Sequence, residues 1–309
     1  MLIARSNPAS RCRSGCQIGV QLANAAESTF SRGVPQRPPL HLEGQDSRMD
    51  VLAFTILRAQ QSLLNERFGP REHTRFPVAC DTDRGVRDIP LLVTEIFHSL
   101  QGETSLVGVP FVFVRLTGCN LRCTYCDSAY AFKGGTKLSI DEVCARIASF
   151  ETKHVLLTGG EPLLQRPVPQ LINRLNQSGY SVSIETHGEV SIEKVAPHAR
   201  IIMDVKTPAS KMNRGGWLKN LPFLKSSDEV KFVIASEADY AWARGLIRET
   251  KFPTAEILLS PVMRTAGSPG EFPGIDPTWL AERILEDRLQ VRMQVQLHKI
   301  LWGNDRRGV

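Results

Sequence analysis

The sequence has no uncharged apolar run approaching the roughly 20 residues that a helix needs to cross a bilayer. It has no internal repeat with a period of about 20–50 residues, which excludes a solenoid or a propeller. Its 309 residues are 42% hydrophobic and 23% charged, an ordinary balance for a globular protein. We therefore expect about two domains, or one larger α/β domain with an appendage, and no membrane partner.

Basic residues are not clustered into the runs that a nucleic-acid-binding groove requires. The formal net charge is +6, and half of this excess lies in residues 1–88, which contain 12 Arg, 9 acidic residues and no Lys. The other half is spread over the rest of the chain. The sequence therefore predicts no nucleic-acid partner.

The seven cysteines are an odd number and do not form the pattern of a secreted disulfide framework. Three of them, Cys119, Cys123 and Cys126, are packed into one short segment. Thiols that stay reduced are typical of the cytosol, so we expect a cytoplasmic protein.

The N-terminal 88 residues differ in texture from the rest of the chain. Residues 1–48 have little periodicity, and their Arg-rich, acid-poor start is compatible with disorder or with a transit peptide. The absence of Lys favours a third hypothesis, that this stretch is translated upstream sequence and that Met49 or a later codon is the true start. Residues 50–67 have a helical apolar period. We therefore predict an extension over 1–88, largely disordered with one possible helix, and a folded domain over 89–309.

From Leu91 onward, short apolar runs alternate with capped helical segments. The predicted strands are 91–97, 110–116, 154–158, 180–186, 200–205, 229–234, 256–260 and 291–297. The predicted helices are 140–150, 167–178, 237–249 and 277–287, the first with a capping box from Ser139 and Glu142 and the second ending at Gly179. This alternation predicts an α/β fold with parallel strands, right-handed crossovers and its chemistry at one end of the strands.

The three clustered cysteines have the spacing C-x3-C-x2-C and directly follow the 110–116 strand. Thiolates select iron–sulfur clusters, zinc or Cu(I). A closed zinc site needs four ligands, and no fourth Cys or His lies close in the sequence. Three thiolates can hold three irons of a [4Fe–4S] cluster and leave the fourth iron open to a ligand. A zinc knuckle or clustered core cysteines remain the alternatives.

The segment Thr158-Gly159-Gly160-Glu161-Pro162 follows the next predicted strand. Glycines allow the backbone to approach a ligand closely, and the Glu161 carboxylate can accept a hydrogen bond from an ammonium group. Alone, the segment would be an ordinary turn. One β–α unit after the cysteine loop, it indicates a ligand-binding turn.

The cysteine loop and the glycine turn resemble the signatures of the radical S-adenosylmethionine (SAM) superfamily. Within it, the chain resembles the 7-carboxy-7-deazaguanine synthase family over essentially residues 92–303. The blocks that carry the resemblance follow one another in family order: EIFHSLQGE at 95–103, RLTGC at 115–119, CDS at 126–128, SIETHG at 183–188, DVKTP at 204–208, EVKFVI at 229–234, SP at 260–261 and QLHK at 296–299.

The resemblance implies a carbon–nitrogen lyase on an abbreviated (partial) β/α barrel of the radical SAM type. It implies conversion of 6-carboxy-5,6,7,8-tetrahydropterin to 7-carboxy-7-deazaguanine with loss of ammonia, in 7-deazapurine and queuosine biosynthesis. The implied cofactors are one [4Fe–4S] cluster per chain, SAM and Mg²⁺. The implied partners are the small-molecule pterin, a reducing electron donor of the flavodoxin or ferredoxin type, and a second copy in a homodimer.

The resemblance also implies roles for individual residues, with no catalytic residue beyond the ligands of cofactors and substrate. The cluster is assigned to Cys119, Cys123 and Cys126, and magnesium to the hydroxyl of Ser128, where the family has a threonine. The SAM-binding residues are Tyr125, Gly159, Gly160, Glu161, Glu185 and Ser260. The substrate-binding residues are Leu100, Gln101, Gly102, Glu103, Arg115, Thr158 and His298.

Three of these roles are specific. Arg115 is expected to bind the substrate carboxylate, Glu103 to accept from the pterin amino group, and His298 to reach the substrate from the last strand. Thr104 departs from the family, since many members have glycine there.

Two other functions share parts of the pattern. An activase of a glycyl-radical enzyme has the cysteine loop but does not need the QGE segment or the QLHK ending. A zinc-dependent interaction module predicts bound zinc and a concentrated basic face.

Overall fold

One nine-stranded sheet organises the part of the chain that the computed structural model describes, which is residues 89–254, 256–263, 273–303 and 306–309. The strands are β1 (Leu91–Leu100), β2 (Pro110–Leu116), β3 (Thr136–Leu138), β4 (His154–Gly159), β5 (Ser181–Thr186), β6 (Arg200–Asp204), β7 (Glu229–Ile234), β8 (Glu256–Pro261) and β9 (Arg292–Met293). The α-helices are α1 (Ile140–Ala148), α2 (Val168–Gln177), α3 (Glu237–Glu249), α4 (Pro277–Glu286) and α5 (Leu297–Trp302). The predicted extension over 1–88 and its helix lie outside the described residues.

The strand order is β3-β1-β2-β4-β5-β6-β7-β8-β9. Neighbours from β2 to β9 pair in parallel, as predicted, while β1 is antiparallel to both β2 and β3. The all-parallel prediction is wrong for β1 because residues 101–109 are too short a connection for a crossover, which needs about a dozen residues or more. The strand β3 was missed because three residues are too few to show alternation.

The last predicted strand, 291–297, is wrong over most of its length. Only Arg292 and Met293 pair with β8, and helix α5 begins at Leu297. The chain leaves the sheet because the Leu297 N–H donates to the carbonyl of Gly102, at 2.9 Å, instead of continuing the ladder. His298 therefore lies on the first turn of a helix rather than on the last strand.

The helix boundaries follow their capping residues closely. Ser139 and Glu142 form the predicted capping box at α1. Asp276 accepts from the Thr278 N–H at the start of α4, and Gly179 has a left-handed φ of 78° after α2. One face of α2 is fully buried, and that apolar burial against the sheet is what stabilises a ten-residue helix. Within the described residues, no helix is both long and apolar enough to cross a lipid bilayer.

A cluster of aromatic and aliphatic side chains packs on the sheet, below the cavity at the carboxyl ends of the strands. Phe97 and Phe113 stack across β1 and β2 with ring centroids 5.0 Å apart, and Phe111, Leu156 and Ile202 complete the cluster. Because Phe97, Phe113 and Leu156 also line the cavity above, this core forms the apolar wall of the candidate site.

Candidate active site

A cavity of about 350 Å³ gathers the carboxyl ends of the parallel strands, the segment after β1 and the first turn of α5. It brings together every residue to which the sequence assigned a role except Glu161 and Ser260. The residues reach it from points more than 190 positions apart in the sequence, from Leu100 to His298. The cavity is thus the place at which the predicted cluster, SAM and substrate residues meet.

The three cysteines lie on the loop that follows β2, each half-buried and none in a disulfide. The Leu121 N–H donates to the Cys119 sulfur at 3.4 Å within the loop, and the Thr124 N–H donates to the Ser210 carbonyl, which ties the loop to the segment after β6. Burial raises the pKa of all three thiols, that of Cys123 to about 11. Free thiols are therefore neutral here. A metal centre that replaces their protons would neutralise the thiolate charge, which is unfavourable in a partly buried site without a cation.

The donor set of the loop fits a soft metal centre with one open position. Among the described residues, no group of three or more His, Cys, Asp or Glu side chains converges as the ligands of a single metal ion would. In an iron–sulfur cluster each thiolate binds a different iron, so three spread sulfurs around a cavity fit that centre.

The glycine turn after β4 packs directly against the cysteine loop. A β-carbon at Gly159 would overlap the backbone of Leu116, and one at Gly160 would overlap the carbonyl of Gly118. The Glu161 N–H donates to the Gly118 carbonyl at 2.8 Å. The sequence attributed these glycines to a close approach to ligand, whereas the close approach that the structure shows is to the loop carrying Cys119. Both glycines also line the cavity.

The Glu161 carboxylate is fully buried behind the cavity wall and bonded to its own chain. It accepts from the Leu163 N–H, the Thr186 hydroxyl and the His187 N–H at about 3 Å each. Burial raises its pKa to about 7. These contacts give Glu161 a structural role in the turn, and its predicted contact with a ligand ammonium group stays a prediction.

Ser260, near the end of β8, is also buried outside the cavity lining. Its hydroxyl oxygen has no hydrogen-bond partner among the described residues. Its role in cofactor binding therefore also stays a prediction.

A connected set of charged and polar groups also lines the cavity. The Glu103 carboxylate accepts from Lys231 at 2.8 Å and from the Gln296 amide at 2.7 Å, and Lys231 also forms an ion pair with Glu185. The Thr158 hydroxyl donates to Glu185 at 3.1 Å. Burial opposes ionisation of Glu103, but the Lys231 ammonium and the Gln296 amide outweigh it and lower its pKa to about 2. Glu103 is therefore a fixed, ionised acceptor.

Arg115, near the end of β2, is held in place through one edge of its guanidinium group. Its Nε donates to the Glu95 carboxylate at 2.6 Å, and its charge lies 5.8 Å and 5.7 Å from the ring centroids of Phe97 and Tyr130. Among the described residues, no hydrogen bond uses the two Nη groups. A positioned guanidinium with these donors available is suited to bidentate binding of a carboxylate.

Ser128 lies at the edge of the cavity beside Asp127. Its hydroxyl donates to the Asp127 carboxylate at 3.2 Å, and that carboxylate also accepts from Lys299 at 3.1 Å. Oxygen ligands of this kind are those that magnesium prefers, with water supplying the remaining positions.

The cavity also contains charged and polar side chains to which the sequence assigned no role. Five of them lie near the ends of the central strands or at the start of α5, namely Asp204, Lys206, Lys231, Gln296 and Lys299. All five fall inside the sequence blocks that carry the family resemblance. The sequence therefore marked these positions but did not indicate what each side chain does. His187, which falls inside the 183–188 block, and Tyr130, which lies outside every block, also line the cavity.

Comparisons with known proteins agree with this geometry. The model of the radical SAM superfamily matches residues 113–217. The chain is 43% identical over 224 residues to the 7-carboxy-7-deazaguanine synthase of Koribacter versatilis, covering 70% of this chain and 99% of that protein. It is 40% identical over 226 residues to the enzyme of that name from Chlorobaculum tepidum, covering 72% and 99%.

The fold is similar to that in the crystal structure of QueE from Escherichia coli. The TM-score is 0.53 at 24% sequence identity, and the match covers 67% of this chain and 94% of that one. With the superfamily match, this likeness confirms the predicted α/β fold of the radical SAM type.

Proposed function

The chain belongs to the 7-carboxy-7-deazaguanine synthase family of radical SAM enzymes, and from this we propose that residues 89–309 convert 6-carboxy-5,6,7,8-tetrahydropterin to 7-carboxy-7-deazaguanine with loss of ammonia. The observation that carries the proposal is the meeting of three cysteines, an available guanidinium group and a fixed carboxylate in one cavity. A glycyl-radical activase would share the cysteines but would have no need of the other two groups.

Cys119, Cys123 and Cys126 would hold the [4Fe–4S] cluster, which supplies the electron that cleaves bound SAM to a carbon radical. The role of the protein is to hold the thiolates, position SAM and keep bulk water away. For SAM we propose Tyr125, Gly159, Gly160 and Glu185, all of which line the cavity. Glu161 and Ser260 complete the proposed SAM-binding set, and both lie outside the cavity lining.

The substrate chemistry accounts for the remaining lining residues. The pterin carboxylate would take the Nη groups of Arg115, and the exocyclic amino group would donate to Glu103. The backbone of 100–102 and the Thr158 hydroxyl would complete the polar edge. The Phe97 and Phe113 wall gives the ring system an apolar surface.

His298 would contact the substrate from α5, across the ring from the strand ends. Its imidazole is held against Gly102, and burial lowers its pKa, so it is neutral at physiological pH. A neutral imidazole can donate or accept a hydrogen bond without adding charge to the pocket.

We propose that Ser128 binds Mg²⁺ together with the substrate carboxylate and water, since its hydroxyl lies beside Asp127 on the cavity edge. The magnesium ion would polarise the carboxylate that Arg115 also binds. A homodimer, a flavodoxin- or ferredoxin-type electron donor and a cytoplasmic location are further parts of this proposal, and family membership is their support.

The test is anaerobic reconstitution with iron and sulfide, followed by incubation with SAM, dithionite, magnesium and the pterin. The expected result is 7-carboxy-7-deazaguanine, detected by mass. Cys123→Ala should abolish the product, whereas Cys144→Ala, which changes a half-buried thiol on α1 outside the cavity, should not. Cleavage of SAM without product would contradict the proposed substrate and favour the activase.

A further inference from the structure

Lys231 on β7 is a buried cation that contacts two carboxylates from different parts of the chain. Its side chain is only 4% exposed. The ammonium group donates to Glu103, on the segment after β1, at 2.8 Å, and forms an ion pair with Glu185 on β5. A third carboxylate, that of Asp204, is 3.9 Å away. One charge therefore holds together residues that are 82 positions apart (103 and 185).

Each of the two carboxylates gives one oxygen to Lys231 and one to a separate neighbour. Glu103 uses Oε2 for Lys231 and Oε1 for the Gln296 amide. Glu185 uses Oε1 for Lys231 and Oε2 for the Thr158 hydroxyl. Among the described residues, Lys231 alone bonds to both.

We propose that Lys231 is a positioning residue that fixes Glu103 and Glu185 and thereby couples binding of the pterin to binding of SAM. The inference rests on the proposed function, in which Glu103 receives the pterin amino group and Glu185 binds SAM.

One lysine can couple the two sites because both carboxylates share it as their cation. The two carboxylates are only partly exposed, at 16% for Glu103 and 28% for Glu185, and they would repel each other without a cation between them. Lys231 limits the motion of both acceptors before any ligand arrives without fixing either completely, and this lowers the entropy cost of binding each ligand. A ligand that orders one carboxylate also orders the shared ammonium group, so the other site gains affinity in turn.

The charge state of the group agrees with this role. Burial opposes the charge on Lys231, but Glu103 and Glu185 outweigh it, so its pKa lies well above the ordinary value and the ammonium form persists. Asp204 at the end of β6 and Lys206, two residues further along the chain, lie next to Lys231. Since their charges pair with each other at 2.8 Å, Lys231 remains the counterion of the two ligand-facing carboxylates.

The experiment measures the Kd of each ligand, alone and with the other present, on anaerobic cluster-loaded protein without a reductant. In Lys231→Met we expect both ligands to bind about tenfold more weakly or worse, because each loses an ordered charged acceptor. The gain in affinity that one ligand gives the other should also disappear. The matched control is Gln296→Leu, which removes the other partner of Glu103 and should weaken the pterin alone.

A variant that weakens only one ligand, or that leaves the coupling at its wild-type value, would overturn the inference. If Lys231→Met does not fold, Lys231→Arg decides the matter, since it keeps the charge but moves it. It should weaken both ligands by similar, smaller factors, and a loss confined to one ligand would again contradict the inference. Wild-type protein that binds SAM but not the pterin would refute the proposed substrate, which is a different result.

Discussion

The imidazole of His298 lies over the α-carbon of Gly102, in the space that a β-carbon at position 102 would occupy. The same two segments are joined by the hydrogen bond from the Leu297 N–H to the Gly102 carbonyl. Glycine is therefore required here by a close approach of side chain to backbone, and α5 is positioned by that approach.

Gly102→Ala should displace His298 and lower kcat/KM for the pterin by about tenfold to a hundredfold, because a shift of about 1 Å in a positioned group has effects of that size. SAM cleavage in the absence of pterin should change little. Steady-state kinetics with both readouts checks this.

The control for that prediction is the same substitution at Gly245, on α3, where an added β-carbon meets no atom within 4 Å. Gly245→Ala should leave the kinetics unchanged and stabilise the protein by about 1 kcal/mol, since alanine is the better helix former. Equal kinetic losses in both variants would contradict a specific role for the Gly102 contact.

Thr104 has a left-handed φ of 68°, which a β-branched residue adopts at a cost of about 1–2 kcal/mol. Its hydroxyl offsets part of this strain by accepting from the Leu106 N–H at 3.1 Å. Thr104→Asn should stabilise the protein by about 1 kcal/mol, because asparagine tolerates this conformation and keeps an acceptor. Thr104→Gly relieves the strain but loses the acceptor, so it should be nearly neutral. Urea unfolding of the wild type, Thr104→Asn and Thr104→Gly measures both differences. A lower stability of Thr104→Asn than of the wild type would show that the backbone at Thr104 is not strained.

The sequence predicted the parallel part of the fold well because its strands and helices carry strong local signals. Ser139, Asp276 and Gly179 set their helix boundaries through contacts within a few residues, and such contacts can be inferred without a structure. The antiparallel β1 and the turn of the chain into α5 could not be inferred. Both depend on a connection's length or on a distant partner, such as the Gly102 carbonyl for Leu297.

The same distinction applies to the candidate site. Cys119, Cys123 and Cys126 were predicted from spacing alone, because one loop must wrap one centre. Lys231 was not, because a lysine in a strand indicates nothing until Glu103 and Glu185 are seen around it. The structural role of Glu161 was missed for the same reason, since two of its three partners lie on β5 and the loop after it.

Because Glu103 is ionised in the folded protein, the free energy of unfolding should depend on pH in the acid range. Its folded-state pKa of about 2 lies below the ordinary 4.5, so it stabilises the folded protein above pH 4.5, by about 3 kcal/mol, and that contribution is lost as the pH falls toward 2. Glu103→Gln should therefore be less stable by about that amount at pH 7, with a difference that shrinks below pH 4.5. Urea unfolding of cluster-free protein, which avoids acid loss of iron, measures it. A difference that stays constant between pH 7 and pH 3 would exclude this linkage.

Residues 89–309 should fold and act without the N-terminal extension. The match to the Koribacter versatilis enzyme spans 224 residues and nearly all of that protein, so the activity needs no more chain than this. A fragment that begins at residue 89 should reconstitute a cluster and form product at a rate within about twofold of the full chain, because 99% of the matched enzyme is covered by the aligned part of this chain. Loss of folding in the fragment would show that the extension is part of the domain.

Arg115→Lys should weaken the pterin and spare SAM. The lysine keeps one positive charge but cannot form two parallel hydrogen bonds to a carboxylate, and it loses the bond from Nε to Glu95. The KM for the pterin should rise by about tenfold or more, while the Kd for SAM stays within about twofold.

A pterin that lacks the carboxylate separates this role from a general effect on the pocket. Wild-type protein should bind that analogue more weakly than the substrate, and Arg115→Lys should bind the two almost equally, because the group that distinguishes them is gone. Competition binding gives the four constants of this double-mutant cycle. If the variant still prefers the carboxylated pterin by the wild-type factor, the carboxylate binds elsewhere, and Lys299 beside Asp127 becomes the candidate cation.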